Sequence, residues 1–535
     1  MTDMAHKTSV TFYGGAGTVT GANFLLDTGD VRILIDCGAL EREVAHSVTT
    51  LGFSKSGVPD KKISAVARFA TTLGFSTAEV SAKKISAHVC DISNAQPFQY
   101  DPRSVDALIV THAHADHIGR IPKLVHDGFK GTIYSTAATR DLAELMFEDA
   151  VNVMENDMRR NGCTMMYQKE DAAGALALWR TREYHQPFEV GSATVEFLDA
   201  GHILGSAMVK MSRGGGGVFG SLSGPAGPAL TLGPSACETP ENTAASARPR
   251  SILFTGDLGN SPEPLLNDTE IPDGVNYLVM ESVYGDRVHE DRAERTDVLR
   301  RAIEDARTRS GTLLIPSFSI ERTQILLYEI EKMIEDGSMA PIAVYLDAPL
   351  AIKVTDVFRR HKDLLNAEVR ARFESGNDPF TFDGLTLTGD AAESREIHAL
   401  PDPKVIIAGA GMSSGGRIRA HEKRYLADLN AMVLFVGYQA PGSLGRRIED
   451  GEKRITIDGE KVRVRARIAS LTGYSGHKDR DGLLDFVERM GESLERVFTV
   501  MGEPKSELFL SQRIRDFLGV DAIAPEQDQQ IEIDW

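Results

Sequence analysis

The sequence predicts an α/β protein built from more than one structural unit, on three observations. At 535 residues the chain exceeds what one hydrophobic core accommodates, so two or three units are expected. Short apolar runs that read as strands alternate with helical patterns along most of its length, the mark of sheets covered by helices. After about His289 a fresh strand–helix series begins.

The elements follow in order. Residues 23–27 and 31–36 are apolar runs around Thr28-Gly29-Asp30, a hairpin signal. Residues 49–54 recur as 71–76, and 61–65 as 83–87. Two copies are too few for a solenoid and read as a tandem duplication inside a surface insertion near 41–100. Residues 107–110 form a short buried strand, followed by a polar loop, a helix near 119–126 and a longer one over 137–158. Strands at 193–198 and 207–211 bracket a glycine-containing loop. Residues 212–250, with Gly214-Gly215-Gly216-Gly217 and many Ser, Pro and Ala, read as a flexible insertion between strands. Strands at 251–254 and 276–280 close this part. The second series runs helix 294–310, strand 312–315, helix 322–335, strands 342–346 and 405–408, helix 416–426 and strand 431–436, which suggests a parallel sheet with helices on both faces. From about Ala440 come strands 455–457 and 462–471, then helix 478–490 and a strand–helix tail, with the acidic end at 526–534 read as solvated. The expected divisions are 1–288, 289–439 and 440–535.

Composition excludes several classes. With 42% apolar and 25% charged residues the chain is globular. No apolar run approaches the roughly 18 residues of a membrane helix, and the N-terminus lacks the basic region and apolar core of a secretory signal. Cys37, Cys90, Cys163 and Cys237 lie far apart with no CxxC spacing, which argues against a disulfide framework and a cysteine-based zinc site and fits a reducing cytoplasm. A net charge of −18 argues against a protein that coats nucleic acid non-specifically. It leaves room for an enzyme with one charged cleft, where metal ions add local positive charge.

The decisive motif is Thr111-His112-Ala113-His114-Ala115-Asp116-His117, directly after a buried strand. Imidazole and carboxylate are the zinc-type ligands of choice, and open catalytic sites use three protein ligands plus water. Extended backbone at a strand end, rather than a helix, would project His112 and His114 alike. His202, Asp257 and His477 lie in glycine-containing turns, the first two just after strands and the third before the last long helix. Singly each reads as a turn residue; together with the first motif they complete two metal sites.

This set resembles the metallo-β-lactamase superfamily, whose HxHxDH signature stands here as His112, His114, Asp116 and His117. The resemblance implies an αββα sandwich over 8–280 and about 440–516. It implies one metal on His112, His114 and His202, a second on Asp116, His117 and His477, and Asp257 as the bridge. The implied cofactor is a pair of zinc ions, although such mixed sites also accept other divalent metals. Asp36, at the end of strand 33–35, matches the family's first acidic motif, which orients ligands. Asp116 would orient the attacking water or accept its proton.

A second resemblance narrows the substrate. Residues 280–287, with Glu281 as the acid, resemble the motif that opens a β-CASP module. Residues 315–324 resemble its strand-to-helix junction, 409–417 its Gly/Ser loop, and 437–447 the return to the metal domain. This order resembles β-CASP ribonucleases, relatives of the endonuclease of eukaryotic pre-mRNA 3′-end processing, and implies an inserted α/β domain and RNA as partner. Ser413, Ser414 and Gly415 precede a helix and could cradle a phosphate on backbone N–H groups, with Arg417, Arg322 and Arg447 as bidentate clamps. Where the eukaryotic endonuclease has a histidine proposed as general acid, Arg447 stands here and cannot donate a proton, its pKa lying above about 12; His421 and His289 are the alternatives. A metal-dependent ribonuclease acting on single-stranded RNA is the first expectation, with a lactone or thioester hydrolase and a non-catalytic RNA-processing scaffold as rivals. No membrane partner is expected, and the oligomeric state, a homodimer included, is open.

Overall fold

The computed structural model describes residues 7–40, 93–213, 250–289, 293–440 and 442–535, so the 49–87 duplication and nearly all of the 212–250 insertion lie outside the described residues. Two seven-stranded sheets face each other. In the first, Ser9–Gly14, Asn23–Asp27 and Arg32–Ile35 form an antiparallel meander that continues in parallel through Ala107–Ile109, Thr132–Ser135 and Trp179–Thr181. In the second, Tyr277–Glu281 lies between Ser251–Phe254 and Arg496–Val500.

Strand periodicity explains the layering. Val10, Phe12, Phe24, Leu26, Ile33 and Ile35 project into the space between the sheets, where they meet Phe197, Val209, Ile252, Phe254 and Phe498. Leu25 and Leu34 project the other way, into the core beneath the helices. Both faces of these strands are buried, so they read as nearly continuous apolar runs. Each such side chain contributes about 1.5–3 kcal/mol on burial. Helix Ala137–Asn161 covers the first sheet, while Arg480–Arg489 and Pro504–Arg513 cover the second. The result is an αββα sandwich.

The third sheet is six-stranded and wholly parallel, ordered Leu385–Leu387, Ala343–Asp347, Lys404–Ala408, Thr312–Pro316, Met432–Phe435 and Arg467–Ser470. Its last strand corrects the division expected at 439/440. Arg467–Ser470 satisfies the open edge of Met432–Phe435, so the inserted unit runs on to about residue 470. The run 462–471 is not one strand: Glu460–Arg463 pairs with Arg454–Ile457 in a separate hairpin. The acidic end is likewise not a free tail, because Gln530–Glu532 pairs with Ser9–Gly14 and completes the first sheet. Cys37 is a free, buried thiol, whereas Cys163 is disulfide-bonded, against the expectation from spacing.

Local chemistry brings the site together. Thr136 caps helix Ala137–Asn161 by accepting the Thr139 N–H, and the Thr136 and Thr139 hydroxyls both donate to the Gly205 carbonyl. That ties the turn carrying His202 to a long helix. Gly205 has φ +79°, and a Cβ there would lie 2.7 Å from the Ala138 Cβ, so only glycine fits. The carboxyl end of the third sheet meets the same turn, where Glu321 accepts the Leu204 N–H at 3.3 Å.

Candidate metal centre

Four loops deliver the expected ligands, three at the ends of strands in the two facing sheets and the fourth after Arg467–Ser470 of the third. His112 and His114 sit on extended backbone after Ala107–Ile109, whereas Asp116 and His117 lie in the short helix Ala115–Ile118, capped by His114. A strand end therefore presents half of the motif and a helical turn the other half. His202 follows Ala193–Asp199, Asp257 follows Ser251–Phe254, and His477 precedes helix Arg480–Arg489.

His112, His114, His202 and Asp257 bring their ligand atoms together in one group. His114 Nδ1 is 3.1 Å from His112 Nε2 and 3.2 Å from His202 Nε2, and Asp257 Oδ2 lies 3.4 and 3.5 Å from the same two Nε2 atoms. A tetrahedral ion with Zn–N bonds of 2.0–2.1 Å sets its ligand atoms about 3.3–3.4 Å apart, which is this spacing. Asp116 and His117 form a second group with the same Asp257. His117 Nε2 and Asp257 Oδ1 are 3.3 Å apart, both buried, and neither has a hydrogen-bond partner. Buried polar atoms left orphaned and facing one another are costly, and a cation between them removes the cost. The residues present fit a metal.

Hydrogen bonds set the imidazole tautomers. Asp36 accepts the Thr111 N–H at 2.8 Å, the Thr111 hydroxyl at 2.8 Å and the His117 Nδ1–H at 2.7 Å. The Thr111 oxygen, its proton given to Asp36, is left to accept the His112 Nδ1–H at 3.1 Å. His202 donates its Nδ1–H to the Gly476 carbonyl at 3.0 Å. Each ring thus keeps an unprotonated Nε2 for the centre. Asp36 holds φ +58°, the strained conformation that aims its carboxylate inward.

His477 departs from expectation. It does not group with Asp116 and His117; it groups with Asp257, at 3.9 Å, and with Glu281. Its Nδ1 donates to the Glu281 carboxylate at 3.1 Å, which leaves Nε2 as its free nitrogen. Glu281 ends the strand Tyr277–Glu281 of the second sheet, is fully buried and also accepts the Leu258 N–H at 2.5 Å. It does not reach the surface. Its place is behind His477, as that of Asp36 is behind His117.

The electrostatics follow from crowding. Burial holds His112, His114 and His202 well below the usual imidazole range, in the neutral form a metal requires. Burial also lowers His117 and His477, but Asp257 with Asp36 and Asp116 outweighs it at the first, and Glu281 with Asp257 lifts the second to about 9. Burial, then the charge of Asp257, pushes Asp116 up to about 6. Its side chain remains 27% exposed, against 2% for Asp257, so Asp116 is the carboxylate of the set that faces solvent.

The expected phosphate-binding residues divide. Ser413 is fully buried at φ +55° and donates to Glu422, so its hydroxyl is turned inward. Arg417 is held by the Asp347 carboxylate at 2.5 Å and by the carbonyls of Thr388 and Gly389, so it braces loops at the end of the parallel sheet. Arg447 makes an exposed bidentate pair with Glu452 at 2.7 and 2.8 Å. Ser414 is exposed, and the Cβ direction of Gly415 opens onto free space. Arg322, at the start of helix Arg322–Glu335, stacks on Tyr474 at 5.6 Å with a buried, unpartnered Nε. Of the two alternative histidines, His421 is buried between Asp347 and His398, while His289 lies against His477, its Nε2 2.9 Å from the His477 carbonyl.

Comparison with known proteins finds three matching families along the chain. The Metallo-beta-lactamase superfamily matches residues 83–162, the Beta-Casp domain 323–448, and a domain described as "Zn-dependent metallo-hydrolase RNA specificity domain" 461–525. Ribonuclease TTHA0252 of Thermus thermophilus is 32% identical over 94% of both chains. The chain belongs to the β-CASP group of the metallo-β-lactamase superfamily. Transcription termination factors FttA from two archaea are also similar: that of Methanosarcina mazei is 27% identical over 96% of this chain and 70% of its own length, and that of Pyrococcus horikoshii 29% over 81% and 62%.

Three features of this β-CASP protein's centre escape sequence reading. They are the Glu281–His477 pair, the Gly476 carbonyl that orients His202, and the contacts of Tyr474 with the inserted unit. The only sequence signal is an aromatic residue between two glycines in Gly473-Tyr474-Ser475-Gly476. That pattern shows that the loop is tight and not what it touches.

Proposed function

We propose that this chain is a metal-dependent ribonuclease that hydrolyses phosphodiester bonds of single-stranded RNA in RNA processing or decay. The observation that carries the reading is Asp257, whose carboxylate is common to all three ligand groups at the junction of sandwich and β-CASP unit. Two zinc ions on its two faces would be held, the first by His112, His114 and His202, the second by Asp116 and His117, with His477 reaching Asp257 from the side of Glu281. When bound, they would acidify a water and neutralise charge on the phosphodiester. Asp116, partly exposed and with its carboxyl raised to about 6, would orient that water and take its proton. Asp36 and Glu281 are positioning residues that hold His117 and His477.

On the β-CASP side, Arg322 is the cation best placed for a phosphate, since its Nε has no internal partner, and the backbone at Ser414 and Gly415 is open to one. Phe318, partly exposed against the loops of Gly411 and Gly437, offers a base a stacking face. The β-CASP unit beside the ligand groups suits a polymer better than a lactone or thioester. We place the activity in the cytoplasm, where its substrate class is found, and a homodimer is the assembly to test by light scattering. Among the described residues no helix is long and apolar enough to cross a membrane.

The test is cleavage of 5′-phosphorylated, 5′-blocked and circular RNA by the purified chain with zinc, with His114→Ala as control. Cleavage of all three marks an endonuclease, and cleavage of the first alone a 5′-exonuclease. Intact RNA alongside hydrolysed thioesters or lactones overturns the reading.

A further inference from the structure

The loop that carries His477 is gripped from outside the sandwich. Tyr474 is buried to 1% exposure, and its hydroxyl bonds Glu329. The other Glu329 oxygen accepts the Arg295 Nε–H at 3.1 Å, and Arg295 also reaches the Gly473 carbonyl at 3.4 Å. The Arg295 and Arg322 guanidinium groups lie 5.1 and 5.6 Å from the Tyr474 ring centroid. Arg295 belongs to helix Ala293–Arg309, while Arg322 and Glu329 belong to Arg322–Glu335. Both helices are part of the inserted unit, so the groups that bond its hydroxyl and flank its ring come from there.

The far end of the same loop does two things for the metal centre. The Gly476 carbonyl accepts the His202 Nδ1–H at 3.0 Å and the Asn260 N–H at 3.0 Å, which sets the His202 ring with Nε2 inward. The next residue is His477, bridged to Gly259 through its backbone and to Glu281 through its side chain. The five residues Gly473 to His477 therefore link a buried ion pair of the β-CASP unit to one proposed ligand at each metal.

We infer that Tyr474, Glu329 and Arg295 are positioning residues through which the β-CASP unit assembles the metal centre, so that metal affinity depends on how that unit is seated. The inference rests on the metal-centre reading above. A hydroxyl bonded to a buried carboxylate in a charge pair is strong and directional. Its loss frees the loop to move by fractions of an ångström, and ligand geometry tolerates little of that.

The experiment titrates the full-length apo protein with zinc alone, in competition with a chromophoric chelator, for wild type, Tyr474→Phe and Glu329→Gln. The glutamine keeps an acceptor for the tyrosine hydroxyl and discharges the pair with Arg295, so it serves if the phenylalanine variant fails to fold. We expect Tyr474→Phe to bind zinc about tenfold more weakly, within the 10–100-fold range of metal-supporting residues, and Glu329→Gln to fall between it and wild type. On RNA at limiting zinc, kcat of Tyr474→Phe drops and excess zinc restores it, while KM stays constant. Wild-type zinc affinity in both variants, even with lowered melting temperatures, overturns the inference and makes the network structural only. A wild-type chain that binds no zinc refutes the metal-centre reading itself.

Discussion

Replacing Asp36 by asparagine isolates one effect, the proton position on His117. Asparagine tolerates positive φ better than any other residue with a side chain except aspartate, so the backbone at φ +58° is not disturbed. The side-chain volume is unchanged. What changes is the donor count. Asp36 receives three hydrogen bonds, from the Thr111 N–H, the Thr111 hydroxyl and His117 Nδ1. An amide carbonyl at the Oδ1 position still accepts the Thr111 N–H, but the NH2 at the Oδ2 position then faces both the Thr111 hydroxyl, which turns acceptor, and His117 Nδ1, which must become an acceptor too. The proton moves to Nε2, the atom 3.3 Å from Asp257 Oδ1. Flipping the amide instead strands the buried Thr111 N–H at a cost of about 1–3 kcal/mol. Either way the second metal position suffers, and residues that support ligands in this manner are worth about 10–100-fold in affinity, or about 1.4–2.7 kcal/mol. The assay is zinc titration of apo Asp36→Asn by chelator competition, resolving two binding steps. One step should weaken by that factor, while the step assigned to His112, His114 and His202 moves by less than about threefold. Equal weakening of both steps, or of neither, would refute the tautomer argument.

Three further outcomes are expected. Burial pushes the Glu422 carboxyl up to about 8, so the folded chain holds a proton there that the unfolded chain loses near pH 4.5. The stability from that proton is complete below about pH 4.5 and is lost as pH rises toward 8, and denaturant unfolding of Glu422→Gln between pH 5 and 8.5 should show a flatter profile than wild type. Gly205→Ala combines a positive φ with a methyl 2.7 Å from the Ala138 Cβ, and should cost about 2–4 kcal/mol of unfolding free energy and lower zinc affinity through His202. Arg417→Ala uncouples a fully buried Asp347 and should cost about 2–4 kcal/mol, whereas Arg447→Ala removes an exposed pair and should cost under about 1 kcal/mol. A raised KM for RNA with unchanged stability in Arg417→Ala would instead restore it as a phosphate clamp.

The sequence by itself determined most element types and the candidate ligand set, while the αββα and inserted α/β architecture came from its resemblance to a known family. The first two are properties of local pattern: strand and helix periodicities differ, and ligand chemistry resides in residue type and close spacing, as in His112 to His117. What only the tertiary structure decided is which groups face each other across hundreds of residues. His477 turns toward Glu281, 196 positions away, and Tyr474 toward Glu329, 145 positions away. Ser413 and Arg417 carry a phosphate-binding pattern, yet their side chains serve Glu422 and Asp347. Arg467–Ser470 and Gln530–Glu532 look like a continuation and a tail, yet each completes a sheet edge. The physical reason is common to all. A buried charge or an open strand edge must find a partner, and the chain's neighbours in sequence do not say which partner the packing will bring.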